Sequence, residues 1–70
     1  DAKINIMLFY VTKKFKDHPE LATKLKATAP YYLEETNYWN DKFWGVSDGK
    51  GLNVLGMILM QVRDELQTAD

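Results

Sequence analysis

Apolar side chains recur at helical spacing near the start of the chain. Between residues 2 and 16 they repeat every three or four positions, while most of the lysines fall on the opposite side. This period is typical of an amphipathic helix with one buried face. The apolar stripe comprises Ile4, Leu8, Val11 and Phe15, is broadened by Met7, and leaves out Phe9 and Tyr10. The pattern therefore predicts a helix over residues 2–16.

A second, shorter helix is predicted over residues 19–27. Pro19 suits its first position, because the N–H group that proline lacks has no partner there. Leu21 and Leu25 would face inward, one helical turn apart. The helix must end before Pro30, because the residue that precedes a proline is pushed out of the helical region.

The last apolar segment predicts a long C-terminal helix from Asn53 to about Gln67. Its main stripe is formed by Leu55, Leu59, Val62 and Leu66, and further apolar positions are Val54, Met57, Ile58 and Met60. A helix that is apolar nearly all round is typical of a central position, covered on several sides. Gly56 costs about 1 kcal/mol relative to Ala inside a helix, which favours close approach of another backbone or of a ligand.

The stretch between the second and last helices has no steady period. Residues 31–33 are predicted to be extended and buried, and residues 41–45 to form one helical turn. Residues 47–51 have the composition of a turn-rich loop. The predicted fold class is therefore all-α, a small helical array with a long apolar C-terminal helix.

The size and composition limit what this chain can build. Its 70 residues allow one small domain, and the absence of cysteine excludes disulfides and thiolate metal sites. Single cores of this size seldom supply more than about 3–5 kcal/mol without a staple. With 46% hydrophobic residues, the chain carries more apolar surface than such a core uses. We therefore expect residues 1–70 to be a partial helical domain that packs on an absent segment or forms a homo-oligomer.

The charge pattern excludes several classes of partner. The net charge is −1 with both signs interspersed, so direct nucleic-acid binding is not expected.

No apolar run approaches the ~20 residues of a membrane span, and no export signal is visible, which predicts a cytoplasmic protein. The chain does not begin with Met, which indicates a piece of a longer one. Arg63 would form a surface ion pair or reach an anion, and no metal or cofactor is predicted.

Acidic residues near the glycine-rich loop are candidate catalytic groups. Asp41 could stabilise positive charge or align a water molecule, although Asp is also a favoured cap for a turn such as residues 42–44. Glu34 and Glu35 follow the apolar run 31–33. One of the two could act as a general acid or base in a pocket, or both could be solvated or ion-paired.

An aromatic residue and a glycine loop form a candidate binding surface. Trp44 offers a wide face and one N–H donor to a base or sugar, although a single aromatic residue more often belongs to a core. Gly49, Lys50, Gly51 and Asn53 lead straight into a helix N-terminus, where unpaired N–H groups favour an anion. The spacing is not that of a Walker loop. The alternative is a tight turn followed by a helix cap.

Taken together, these residues resemble a known family along nearly the whole chain. The matching positions are Met7, Lys14-Phe15, His18-Pro19, residues 25–28, Leu33, Glu35, Asp41, Phe43-Trp44-Gly45, Gly49-Lys50-Gly51, Asn53, Leu55-Gly56, Leu59-Met60 and Val62-Arg63. This set is similar to the C-terminal half of the NADAR superfamily, the YbiA-like N-glycosidases. Ala29 replaces a common glycine, and one extra residue before Asp41 leaves the choice between Glu34 and Glu35 open.

The resemblance implies a larger all-helical domain that hydrolyses an N-glycosidic bond. The implied substrates are phosphorylated ribosylamino-pyrimidine intermediates of riboflavin synthesis, or ADP-ribose attached to a nucleobase. An upstream Glu that lies outside this chain would complete the site. The implied site residues are catalytic Asp41 and Glu35 and substrate-binding Trp44, Gly45, Gly49, Lys50, Gly51 and Asn53. The competing hypotheses are a non-catalytic module that binds ADP-ribose or nucleotides, and a helical fragment for interaction or oligomerisation.

Overall fold

Three helices and one very short sheet make up the part of the chain that the computed structural model describes, residues 1–68. The elements are α1 (Ala2–Asp17), α2 (Pro19–Ala27), β1 (Thr36–Asn37), β2 (Val46–Ser47) and α3 (Val54–Thr68). The mainly helical class is confirmed, and the strictly all-α class is corrected by the parallel pair of two-residue strands. Within residues 1–68, no helix has the length and hydrophobicity needed to cross a bilayer.

The first two helices follow the sequence pattern closely. The Asp1 side chain caps α1 by accepting a hydrogen bond from the N–H of Lys3, at 2.9 Å. Pro19 occupies the first turn of α2, as predicted. Val11 is the buried centre of the predicted α1 stripe, whereas Phe9 and Tyr10 are exposed. Local periodicity and proline geometry were therefore sufficient to locate both helices.

The hydrophobic core lies where α3 crosses the other two helices. Its buried residues are Val11, Leu25, Ile58 and Val62. The expectation of a C-terminal helix covered on several sides is wrong for this chain. Met57 is 55% exposed, and Leu55 and Leu59 are only partly buried. The reason is that α1 and α2 are the only helices within residues 1–68 available to cover α3.

Two local expectations between the helices are also wrong. Tyr31 and Tyr32 are not buried, since they are 72% and 65% exposed. Residues 41–45 do not form a helical turn, since 43–45 form bends and 41–42 have no regular structure. A helical turn needs carbonyl groups to accept from N–H groups four residues later, and here the carbonyls of residues 42–45 accept from the N–H groups of residues 52–55 instead.

Large apolar side chains remain on the outside of the molecule. Nine of them are more than half exposed: Ile6, Phe9, Tyr10, Tyr31, Tyr32, Tyr38, Trp39, Leu52 and Met57. Scattered exposed apolar residues are ordinary, whereas contiguous ones mark surfaces that contact a partner. The observation agrees with the apolar excess noted in the composition.

Candidate functional site

The short sheet places two distant segments of the chain side by side. Thr36 lies opposite Val46 in the parallel pair, and the N–H group of Val46 donates to the Glu35 carbonyl at 2.7 Å. Parallel strands usually need a crossover of a dozen or more residues. The connection here is shorter, because each strand has only two residues. The pairing brings residues 32–35, here called the acidic segment, and residues 43–45, the aromatic loop, to one place.

A tight turn follows the second strand. Ser47 and Lys50 exchange two backbone hydrogen bonds, at 2.8 and 3.1 Å. The two residues between them, Asp48 and Gly49, have positive φ angles of 54° and 74°. Two positive φ angles are the signature of a type I′ turn, for which Asp-Gly is a preferred sequence. The turn alternative for this loop is therefore confirmed.

The N–H groups at the start of α3 are already paired within the chain. Those of Asn53, Val54 and Leu55 donate to carbonyl groups of the aromatic loop, residues 43–45, at 2.9 to 3.2 Å. The N–H group of Leu52 likewise donates to the Lys42 carbonyl, at 2.8 Å. The expectation of unpaired donors at residues 53–55 is wrong, because these N–H groups donate to the loop carbonyls.

The Asn53 side chain connects the acidic segment to the start of α3 by hydrogen bonds. It is only 2% exposed, and its Oδ1 accepts from the Glu35 N–H at 2.9 Å. Its Nδ2 donates to the Leu33 carbonyl at 2.9 Å and to the Tyr32 hydroxyl at 3.0 Å. Asn53 therefore holds residues 32–35 to the helix start, whereas the cap alternative would have had the side chain accept from its own helix.

Asp41 is held by hydrogen bonds from two directions. Its backbone N–H donates to Asn37 Oδ1 at 3.0 Å, and its carbonyl accepts from Asn37 Nδ2 at 2.9 Å. Its carboxylate Oδ1 accepts from the N–H groups of Phe43 and Trp44, at 3.1 and 3.0 Å. The cap alternative for Asp41 is thus confirmed in part. The second carboxylate oxygen, Oδ2, accepts no hydrogen bond within residues 1–68.

A cavity of about 70 Å³ is lined by β1, the loop that follows it and the first turn of α3. Its walls are formed by Glu35, Thr36, Asn37, Trp39, Asp41, Trp44, Gly45 and Leu55. Four of the eight predicted site residues therefore meet here, and Glu35 rather than Glu34 lines the wall. Gly49, Lys50, Gly51 and Asn53 do not line this cavity, so their predicted contacts with a phosphate stay predictions. Asn37 and Thr36 were missed, because only the strand pairing turns them toward the site.

Gly45 has a packing reason to be glycine. A Cβ atom there would lie 2.8 Å from Asn37 Nδ2 and would overlap the Glu35 carbonyl oxygen. Real Cβ atoms do not approach so closely, and the backbone carbonyl cannot move without breaking the strand pair. The absence of a side chain at residue 45 is what allows the acidic segment and the aromatic loop to meet.

Trp44 borders two openings of the molecule. Its ring packs edge-on against Phe43, with ring centres 4.8 Å apart, and Lys3 Nζ lies 4.0 Å from the Phe43 ring centre. Besides the carboxylate cavity, Trp44 lines an apolar groove of about 330 Å³ together with Lys3, Ile6, Met7 and Tyr10. The indole therefore borders both the cavity lined by Glu35 and Asp41 and this apolar groove.

Arg63 does not form the surface ion pair expected of it within residues 1–68, and its expected contact with an anion stays a prediction. It is only 9% exposed, and its Nη1 donates to the Tyr31 carbonyl at 2.7 Å and to Thr28 Oγ1 at 3.0 Å. No carboxylate within residues 1–68 forms a salt bridge with it. Arg63 ties the segment after α2 to the middle of α3, which is a structural role.

Comparison with known proteins gives a consistent set of relatives. The model of the NADAR domain matches residues 1–67. The chain is 46% identical over 68 residues to a riboflavin biosynthesis protein of Vibrio vulnificus, which covers 96% of the chain and 18% of that protein. It is 43% identical over 65 residues to the N-glycosidase YbiA of Escherichia coli, a match that covers 91% of the chain and 40% of that protein. It is 42% identical over 65 residues to the riboflavin biosynthesis protein PYRR of Zea mays, a match that covers 91% of the chain and 10% of that protein.

The chain therefore spans less than half the length of each of these relatives. No solved structure matches it. The matched region includes both carboxylates that line the cavity and the indole between the two openings.

Proposed function

The chain belongs to the NADAR domain family, and from this premise we propose that it forms part of an N-glycosidase. The reaction is hydrolysis of the N-ribosyl bond of a phosphorylated nucleoside-like or ADP-ribose-derived substrate. The observation that carries the proposal is the meeting of Glu35, Asp41 and Trp44 at one cavity. The name of one relative, N-glycosidase YbiA, supports this chemistry, and the name riboflavin biosynthesis protein agrees with one of the two substrate classes.

Asp41 is suited to the charge that develops during this reaction. When the bond between C1′ and the base nitrogen breaks, positive charge builds on the ribose, and a fixed carboxylate stabilises an oxocarbenium-like state. Two backbone N–H groups hold Oδ1 in place. The carboxylate therefore loses little further conformational entropy when Oδ2 faces the sugar. This pre-orientation is the main electrostatic contribution that the chain itself provides.

Glu35 is suited to the proton transfers. The base nitrogen keeps the electron pair of the broken bond and gains a proton, while a water oxygen bonds to C1′ and loses a proton. Glu35 is exposed at the cavity wall, where its carboxylate reaches water, and it takes or delivers one of these protons. Trp44 supplies a flat surface for the base or the sugar.

The cavity alone is too small for such a substrate. Ligand sites usually enclose roughly 300–1,000 Å³, whereas this cavity has about 70 Å³. The chain also spans only 40% of the YbiA relative, and its large exposed aromatic residues have no cover. We therefore propose that residues 1–70 are a partial helical domain, and that the remainder of a NADAR domain covers these residues and completes the site.

The chain by itself should be inactive. We expect residues 1–70 alone to release no ribose above background, because the walls needed to enclose the substrate are missing. We also expect them to bind a hydrophobic dye and to self-associate in sedimentation experiments, because their apolar side chains are exposed. A monomeric chain with a sharp melting transition and robust turnover would contradict this expectation.

The function itself is tested with the whole protein that contains this chain. We expect release of ribose 5-phosphate from a phosphoribosylamino-pyrimidine, or of ADP-ribose from an ADP-ribosylated nucleobase, measured by chromatography of both products. Saturable binding without product would contradict the proposal and favour a non-catalytic ADP-ribose-binding module. Absence of both binding and turnover would favour the helical interaction fragment.

A further inference from the structure

The Asn37 side chain forms a two-point contact with the backbone of a residue four positions later. Asn37 Oδ1 accepts from the Asp41 N–H at 3.0 Å, and Asn37 Nδ2 donates to the Asp41 carbonyl at 2.9 Å. The backbone of Asn37 is itself part of β1, paired with Ser47 of β2. The contact therefore connects the backbone of Asp41 directly to the sheet.

This contact decides where the carboxylate of Asp41 lies. Oδ1 accepts from the N–H groups of Phe43 and Trp44, and it reaches both of them only if the Asp41 backbone stays at the right distance. Asn37 supplies that restraint from the opposite side. Gly45 leaves the space that the Asn37 amide occupies, since a Cβ atom there would lie 2.8 Å from Nδ2. Asn37 also lines the same cavity as Asp41.

We propose that Asn37 is a positioning residue, which acts on the reaction through the carboxylate of Asp41. Its part in catalysis rests on the proposed function, whereas its effect on the Asp41 loop does not. The competing explanation is that Asn37 only stabilises the loop as a whole. The two explanations differ in two measurable ways. The first is whether the loss of Asn37 speeds hydrogen exchange only at the N–H groups of Phe43 and Trp44 or throughout the protein. The second is whether the effect of Asn37 on kcat depends on Asp41.

Amide hydrogen exchange of the whole protein tests the first difference without any substrate. We expect Asn37→Ala to make the N–H groups of Phe43 and Trp44 exchange roughly tenfold faster, because the acceptor they share is no longer held. The N–H group of Val62 in the core should exchange at its original rate. Unchanged exchange at Phe43 and Trp44 would overturn the proposal, and so would a uniform increase that includes Val62.

The matched control is Ser47→Ala. Ser47 Oγ accepts from the Asn40 N–H at 3.1 Å, so this change removes one hydrogen bond from the same loop without touching Asp41. Ser47 is buried, so Ser47→Ala loosens the loop, but the contact between Asn37 and Asp41 remains. We therefore expect it to speed the exchange of Phe43 and Trp44 clearly less than Asn37→Ala does. An equal effect from both variants would mean that any loosening of the loop suffices, and it would overturn the proposal.

A double-mutant cycle tests the second difference. We expect Asn37→Ala to lower kcat roughly tenfold with little change in KM, because misplacement of a reacting group affects the chemical step. In the Asp41→Asn background the same change should have less than about a twofold effect, because residues that act as one unit are not additive. Equal effects in both backgrounds would overturn the link to Asp41. If the unsubstituted protein has no turnover, the proposed function fails, and the exchange experiment still decides the positioning of Asp41.

Discussion

Replacing Asp41 by Asn should remove nearly all turnover while the loop keeps its fold. Asn retains an oxygen that can accept from the N–H groups of Phe43 and Trp44, as Asp41 Oδ1 does, and Asn is as good a cap as Asp. What the variant loses is the negative charge of the carboxylate. Because a positioned charge or proton-transfer group contributes roughly 10²–10⁴-fold, we expect kcat to fall by at least about 10²-fold.

This variant separates the two roles that the structure allows for Asp41. If the residue is only a cap, Asp41→Asn keeps its activity, and Asp41→Ala costs about 1 kcal/mol of stability. If it is catalytic, both variants lose activity, and only Asp41→Ala also loses stability. Rates should be measured on the whole protein at saturating substrate, with thermal unfolding of each variant alongside.

Asp48→Asn provides the matched control for the loss of charge. Asp48 lies in the neighbouring type I′ turn, is exposed and does not line the cavity. Asn tolerates the same positive φ angle, so the control should change neither stability nor kcat. The site assignment would be wrong if Asp41→Asn and Glu35→Gln both left turnover intact.

Replacing Gly56 by Ala should strongly destabilise the fold, although Ala is the better helix former. A Cβ atom at residue 56 would overlap the Asn53 side-chain amide and would lie 2.5 Å from the Leu33 carbonyl oxygen. The amide cannot move aside cheaply, because three hydrogen bonds hold it at a buried position. The helix gains about 1 kcal/mol from Ala, whereas overpacking costs about 1–3 kcal/mol and each buried group left unpaired costs about 1–3 kcal/mol more.

We therefore expect Gly56→Ala to lower the free energy of unfolding by about 2–4 kcal/mol, combining these opposing effects. Denaturant unfolding of the whole protein measures the change. Met57→Ala, at the next and largely exposed position, should stay within about 0.5 kcal/mol of the original protein and so controls for the position on the helix. A variant as stable as the parent would show that the helix start and the 33–35 segment separate easily.

The effect on the acidic segment follows from the same contact. Asn53 holds the Glu35 backbone, so an Asn53 side chain pushed aside would also shift Glu35 at the cavity wall. We expect the destabilised Gly56→Ala protein to lose activity at temperatures below its unfolding transition. The close contact between Gly56 and Asn53 therefore connects the packing of α3 to the position of Glu35.

The sequence by itself determined the helices and the family. The period of apolar residues predicted α1, and Pro19 marked the start of α2, because these signals act between residues one turn apart. The pattern from Asp41 to Arg63 carried the resemblance that the NADAR domain match confirmed. It also selected Glu35, Asp41, Trp44 and Gly45, which line one cavity.

Only the tertiary structure decided how the polar groups of the loops are used. The N–H groups predicted to bind an anion are paired with loop carbonyls, Asn53 braces the acidic segment, and Arg63 is buried against the segment after α2. Each of these contacts joins residues more than two helical turns apart in the chain, and each polar group had several possible partners of equal chemistry. Which partner it finds depends on how the helices pack, and residue type and local spacing do not contain that information.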